Sequence, residues 1–269
     1  CMKYYETIGR KIFMSLSSVF LAGFAALCLL PLIHLLAVSL SDGNAVAAGR
    51  VTLWPVNFSL KAYAFVLSKS AFVTSVYVSI KRLLLGVPIN LLLIVMTAYP
   101  LSKDGRKLAF RNVYVWFFLF TMLFSGGLIP FYMVIKMTGM IDSIWALVIP
   151  GALPIFSCLI LINYFRGLPK EIEEAAFIDG ASHWVALLRV YIPLSLPSLA
   201  TLTLFSAVGH WNSWFDGIIL MNRTEHYPLQ SYLQTVIVQA SLRQAINLEN
   251  IETLVGLTEK TNRAAQIFI

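Results

Sequence analysis

Residues 12–38, 71–99, 113–135, 145–165 and 196–214 form five long apolar runs. A helix of about 20 residues is enough to cross a hydrocarbon core of about 30 Å. Inside lipid, each spanning segment must satisfy its own backbone N–H and C=O groups, unless a closed barrel of alternating strands does so. Strict alternation is missing, so the predicted fold is all-α, a polytopic bundle of transmembrane helices. The composition agrees: 12% of residues are charged and 58% apolar, against about 25% charged in soluble domains. Lys3, Arg10 and Lys11 before the first run, with Ala45-Val46-Ala47 after it, give it the outline of a signal peptide. Its apolar run exceeds the roughly 7 to 15 residues of a signal core, which makes it an uncleaved anchor.

The formal charge of +7 raises the question of anionic partners, and its placement answers it. Lys3, Arg10 and Lys11 precede the first run; Lys103, Arg106, Lys107 and Arg111 crowd the next short loop; Arg166, Lys170 and Arg189 fall in the loop before the last run. These regions alternate with longer, less basic ones. Cytoplasmic loops are enriched in Lys and Arg, so the N-terminus and these loops are expected inside the cell. The basic excess then reports topology in a membrane lipid environment, with no nucleic acid implied. Cys28 and Cys158 lie in spanning runs, and no metal-ligand cluster or disulfide framework is evident. Cys1 before Met2 reads as a remnant, with Met2 the natural start.

Between the fourth and fifth runs lies Glu174-Ala175-Ala176-Phe177-Ile178-Asp179-Gly180, followed by Val190-Tyr191-Ile192-Pro193. Gly167-Leu168-Pro169 can end one helix, Pro169-Lys170-Glu171 can start another with acids near its positive end, and Gly180 permits a tight turn. Two short helices are expected. Glu171, Glu173, Glu174 and Asp179 form the most acidic patch of the chain, and the small Ala175 and Ala176 let another backbone approach. The spacing resembles the E-A-A loop of ABC importer permeases, which runs E-A-A, three residues, G, nine residues, I-x-L-P; here Val190 and Ile192 replace the Ile and Leu.

That resemblance implies a type I importer (MetI-like) fold: one transmembrane domain over 1–269, with residues 166–193 as a cytoplasmic coupling loop. It implies six spans, the last truncated after 264–269, where the chain turns apolar again. It also implies a second related permease subunit, two ATP-hydrolysing subunits docked at Glu174, Ala175, Ala176, Asp179 and Gly180, and an external substrate-binding protein. No G-x-x-x-x-G-K-[ST] phosphate loop occurs in the chain, so ATP and Mg belong to the partners, and this subunit is no enzyme and carries no cofactor.

Two further features bear on substrate. Lys81-Arg82 interrupts the second run about 28 Å from its inner end, near the opposite membrane surface. Snorkelling at that boundary accounts for both charges; the alternative is a basic cavity mouth that favours acidic substrates. In His210-Trp211-Asn212-Ser213-Trp214-Phe215-Asp216, helical spacing puts Trp211 and Trp214 on one face and Asn212 and Asp216 on another. These aromatics form either an interfacial belt or a sugar platform. The W-N-S-W-F segment resembles the carbohydrate, maltose-type branch of these permeases, and the chain looks similar to the subunits of an alginate oligosaccharide importer. An ion-coupled secondary transporter is the alternative, for which His34 is the best candidate coupling group. An intramembrane enzyme would need a motif such as H-E-x-x-H or G-x-S-x-G, and none is present. Gly126-Gly127, Pro130, Pro150 and Pro154 mark either hinges or close packing contacts in the third and fourth runs.

Overall fold

The computed structural model describes residues 8–103 and 108–250, with side chains through residue 239. Every regular element among them is helical, apart from a lone bridge between Ser41 and Phe58. The chain divides into two compact units, Cys1–Ser70 with Ile237–Ile269, and Ala71–Val236.

In the first unit, α1 (Ile8–Ser39) is apolar all round and exposed along nearly its whole length, the composition of a surface solvated by lipid. Its end is tied down by Ala37 and Val38, which pack with Ala45 and Val51. Ser41 Oγ there donates to the Ala37 carbonyl at 2.6 Å and accepts from the Val56 N–H at 3.0 Å. Helix α2 (Gly43–Ala47) is capped by Asp42, whose carboxylate accepts from the Asn44 N–H, and α3 (Lys61–Ser68) follows. His34 is exposed and bonds the Thr52 carbonyl, so it is not the buried ionisable group that ion coupling requires.

The second unit is built on α4 (Ser70–Ser102), whose buried residues are Phe72, Ser75, Ser79, Arg82, Gly86, Asn90, Ile94 and Ala98, then Tyr99, Leu101 and Ser102. Steps of three and four keep them on one face. Then come α5 (Arg111–Leu123), α6 (Leu128–Met137), α7 (Ile144–Val148), α8 (Ile155–Gly167), α9 (Lys170–Ile178) and α10 (His183–Ala186). A π turn, Leu187–Tyr191, leads into α11 (Ile192–Leu194), α12 (Leu196–Asn212), α13 (Phe215–Leu220) and α14 (Leu229–Asn250). Buried Ser198, Leu202, Ser206 and His210 recur every fourth residue of α12. Gly86 meets His210 and Asn90 meets Ser206, so α4 and α12 run antiparallel. Below these contacts Ile94, Ala98, Leu161, Phe165 and Leu202 form an apolar core. In lipid its stability comes from close packing, because lipid tails are as apolar as the side chains themselves.

The spans depart from the five straight runs the sequence predicts. Among the described residues, α1 and α4 alone are long and apolar enough to cross; the count rises to four if two bent pairs are each one span. The third run bends by 112° between α5 and α6 at Gly126-Gly127. A side chain at Gly127 would meet nothing within 4 Å and one at Gly126 would only touch Pro130 Cβ at 3.7 Å, so the pair lies at the bend. Pro150 and Pro154 divide the fourth run into α7 and the 13-residue α8. The fifth stops at Asn212 and continues backward across an 81° bend into the charged loop that precedes it, where Pro193 has no N–H to extend the α pattern. The polar stretch after residue 222 contains a longer helix than its composition predicts. There the first turn of α14 donates the Leu229 N–H to Ser79 Oγ at 2.7 Å, and Ser231 Oγ donates to the Trp214 carbonyl at 2.7 Å. Lys3, Arg106, Lys107 and the apolar tail 264–269 lie outside the described residues.

Candidate functional site

A cavity of about 420 Å³ opens between α4, α6, α8 and α12. Its polar wall is Arg82, Asn90, Ser157, Ser206, His210 and Asp216, and Phe131 and Phe205 supply aromatic surface. Arg82 does not snorkel: it is 3% exposed, because its position on the buried stripe of α4 turns it into the bundle. The guanidinium gathers four elements. Nε donates to His210 Nδ1 at 3.3 Å, Nη1 to the Ser213 carbonyl at 3.4 Å, and Nη2 to the Leu147 carbonyl at 3.3 Å. Both terminal nitrogens also reach the Asp216 carboxylate, the forked geometry that suits arginine. Asp216 is held in turn by Ser213 Oγ at 2.7 Å and the Gly217 N–H at 2.9 Å.

The proton arrangement is self-consistent. Arg82 Nε is a donor only, so His210 Nδ1 must accept and the ring's proton sits on Nε2. Nε2 then donates to the Asn90 oxygen at 3.3 Å, which also accepts from Ser206 Oγ at 2.9 Å. The Asn90 nitrogen donates to the carbonyls of Gly86 and Ala152 at 3.1 and 3.2 Å. His210 fits only because residue 86 is glycine: a Cβ there would lie 2.4 Å from Nε2.

The sequence pairs Lys81 with Arg82, and the structure separates them. Lys81 is exposed and lines a different hollow, of about 510 Å³, with Asp142, Glu225 and His226. Asp142, at a φ of +62°, organises the loop after α13. Its carboxylate accepts from the Asn222 and Arg223 N–H groups at 3.0 and 3.3 Å and from His226 Nδ1 at 2.9 Å. Burial pushes this carboxyl up, but the His226 bond and the two backbone N–H groups outweigh it and hold it below the ordinary aspartate range. Trp211 and Trp214 do not share a helical face, because the helix stops at Asn212 and restarts at Phe215. Neither tryptophan lines the cavity, nor does the exposed Asn212; Asp216 does. Asn90 and Ser206 are absent from the sequence expectations, and His210 enters them only as the head of the aromatic segment, although their spacing with Arg82 and Leu202 in steps of four carries the signal.

The charged loop forms the two expected short helices. At the end of α9, the Gly180 N–H bonds the Phe177 carbonyl at 3.0 Å and the Ala181 N–H bonds the Ala176 carbonyl at 2.9 Å. This paired closure needs a left-handed residue, and Gly180 supplies it at a φ of +81°. Glu174, Ala175, Asp179 and Gly180 are exposed and Ala176 half-buried. Glu173 leaves the expected acidic patch: it is buried, with Oε1 3.1 Å from Lys103 Nζ.

Three comparisons place this architecture. Residues 59–258 match the model of the binding-protein-dependent transport system inner membrane component family. The polygalacturonan/rhamnogalacturonan transport system permease protein YtcP of Bacillus subtilis is 37% identical over 86% of this chain and 80% of its own length. Protein LplC of the same organism is 37% identical over 88% of this chain and 80% of its own. A solved chain from a bacterial ABC transporter involved in the import of the acidic polysaccharide alginate superposes with a TM-score of 0.87 at 34% identity, over 99% of this chain and 94% of that one. This multi-pass membrane protein therefore belongs to the family of binding-protein-dependent transport system inner membrane components.

Proposed function

We propose that the chain is one permease subunit of an ATP-driven importer that carries an acidic oligosaccharide, rich in uronates, across the bacterial inner membrane by alternating access. The observation that carries this reading is the cavity, whose wall combines a buried guanidinium and a half-buried carboxylate with neutral hydrogen-bonding groups and two aromatic rings. Sugar hydroxyls suit Ser157 and Ser206, and C–H faces suit Phe131 and Phe205. Because Asp216 already neutralises Arg82, a substrate carboxylate competes with Asp216 for the guanidinium. Support for the substrate class comes from relatives named for a polygalacturonan and for alginate.

Family membership favours the ATP-driven class over an ion-coupled one. ATP and Mg are then handled by two partner subunits docked on Glu174, Ala175, Ala176, Asp179 and Gly180. A second permease subunit completes the pathway, and an external binding protein delivers the sugar. The basic residues put the N-terminus and this loop inside. A membrane-impermeant thiol reagent should then label a cysteine at the exposed Asn57 from outside and miss one at Ser182; the reverse pattern inverts the topology.

The substrate test uses the full complex in proteoliposomes with its binding protein. Oligogalacturonate or oligoalginate should stimulate ATP hydrolysis at least about tenfold more than maltotriose, since a site built for a polar group rejects analogues that lack it. Equal stimulation by the neutral sugar removes the acidic-substrate assignment.

A further inference from the structure

We infer that Lys103, Glu173 and Tyr191 form a mechanical fastening through which movement of the charged loop is passed to α4 and so to the cavity. Their role is positioning. Lys103 follows directly on the last residue of α4, and its Nζ lies 3.1 Å from Glu173 Oε1 on α9. The Tyr191 hydroxyl joins the pair, accepting from Lys103 Nζ at 2.8 Å and donating to Glu173 Oε2 at 2.6 Å. The ammonium is also sleeved by aromatic faces, 4.1 Å from the Tyr99 ring centre and 4.0 Å from that of Tyr191. Three separate parts of the fold, the end of α4, α9 and the π turn, therefore share one buried charge network.

Apolar contacts are non-directional and can slide. A buried charge cannot leave its partner without remaining uncompensated, so this network resists separation in a way that packing does not. Pro100 sharpens the point, because it removes a backbone hydrogen bond from the last turn of α4, so that side chains tie this end to the loop: Lys103 through its charge, and Tyr99 through a 3.2 Å hydrogen bond to His183 and an edge contact with Tyr191. About 30 Å away along the same helix, at 1.5 Å per residue, Arg82 holds the cavity wall. A shift of α9 therefore pulls on a rod whose far end sets the shape of the cavity.

The inference rests on the proposed docking of ATP-hydrolysing subunits at this loop, and the test separates the two. Replacing one charge strands the other, so the informative variant is Lys103→Met with Glu173→Leu, which removes both charges of the pair together and preserves bulk. In the assembled importer this double variant should retain its ATPase subunits on purification and its basal hydrolysis, while stimulation by loaded binding protein falls about tenfold, within the usual range of coupling between sites. Tyr191→Phe, which keeps the ring and removes the shared hydroxyl, should fall between the double variant and the parent. Full stimulation in the double variant overturns the inference, and so does loss of its ATPase subunits, which would make the cluster part of the dock. Glu174→Lys reports on the docking reading alone: normal retention and stimulation there removes that reading and leaves the fastening to be judged by its own variants.

Discussion

Arg82, twelve residues inside the start of α4, and Lys103, just past its last residue, are both under a tenth exposed, and their surroundings differ in kind. Arg82 reaches two main-chain carbonyls, an imidazole and a carboxylate on separate elements. Lys103 reaches the Glu173 carboxylate, the Tyr191 hydroxyl and the faces of two rings. A planar fork fixes direction as well as distance, whereas an ammonium is a point charge that keeps its partners while it turns. Arg82 is thus a rigid joint, suited to holding a cavity wall, and Lys103 a pivot, suited to keeping its partners through a shift of α9.

The largest effect expected from this contrast is at Arg82. Arg82→Met leaves the half-buried Asp216 without its cation and should cost most, up to about 3–5 kcal/mol, the penalty for breaking a fully buried pair. Arg82→Lys keeps the charge but cannot serve all four partners, and should still cost about 1–3 kcal/mol for the acceptors left unpaired. Thermal unfolding of the purified complex measures both. A lysine variant as stable as the parent would show that charge alone matters at this joint and would erase the contrast with Lys103.

A smaller effect tests how tightly the joint is packed. The Cβ of Gly86→Ala would lie within 2.4–2.9 Å of three His210 ring atoms, so the ring must leave its place between Arg82 and Asn90. Overpacking of this kind costs about 1–3 kcal/mol. Combining Gly86→Ala with His210→Ala should cost less than the two single losses added together, because the second change removes the clash created by the first. Strict additivity in the melting temperatures would mean that the ring and residue 86 do not compete for space.

How much of this was legible beforehand divides along physical lines. Helix class followed from run length, and the turn at Gly180 from its place after Ile178 and Asp179, since both are local properties of the chain. The bends at Gly126-Gly127 and at Ser195 were less legible, because glycine and proline permit a break without setting its angle. Arg82 was misplaced for a different reason: depth along a helix can be counted from the sequence, but the direction in which the side chain points depends on α12, over 100 residues away. Glu173 and Glu174 show the same limit at neighbouring positions. Adjacent acids on a helix face about 100° apart, and only the packing of Lys103 and Tyr191 decides which is buried.

The smallest effect belongs to Asp142, whose ion pairs are exposed and which therefore serves as the reference for the two buried networks. Its carboxyl is held below the ordinary aspartate range in the folded chain, so folding favours its charged form. The stabilisation is fully present above the unfolded-state value, near 3.8, and is lost as pH falls through the lower folded-state value. Asp142→Asn should therefore lower the melting temperature slightly at pH 7 and make little difference once the pH is well below 3.8. Exposed pairs contribute less than about 1 kcal/mol and weaken with salt, so the gap between parent and variant at pH 7 should narrow in concentrated NaCl, whereas the cost of Arg82→Met should not. If salt erased both differences equally, burial would not be what separates the joint at Arg82 from the surface pairs of Asp142.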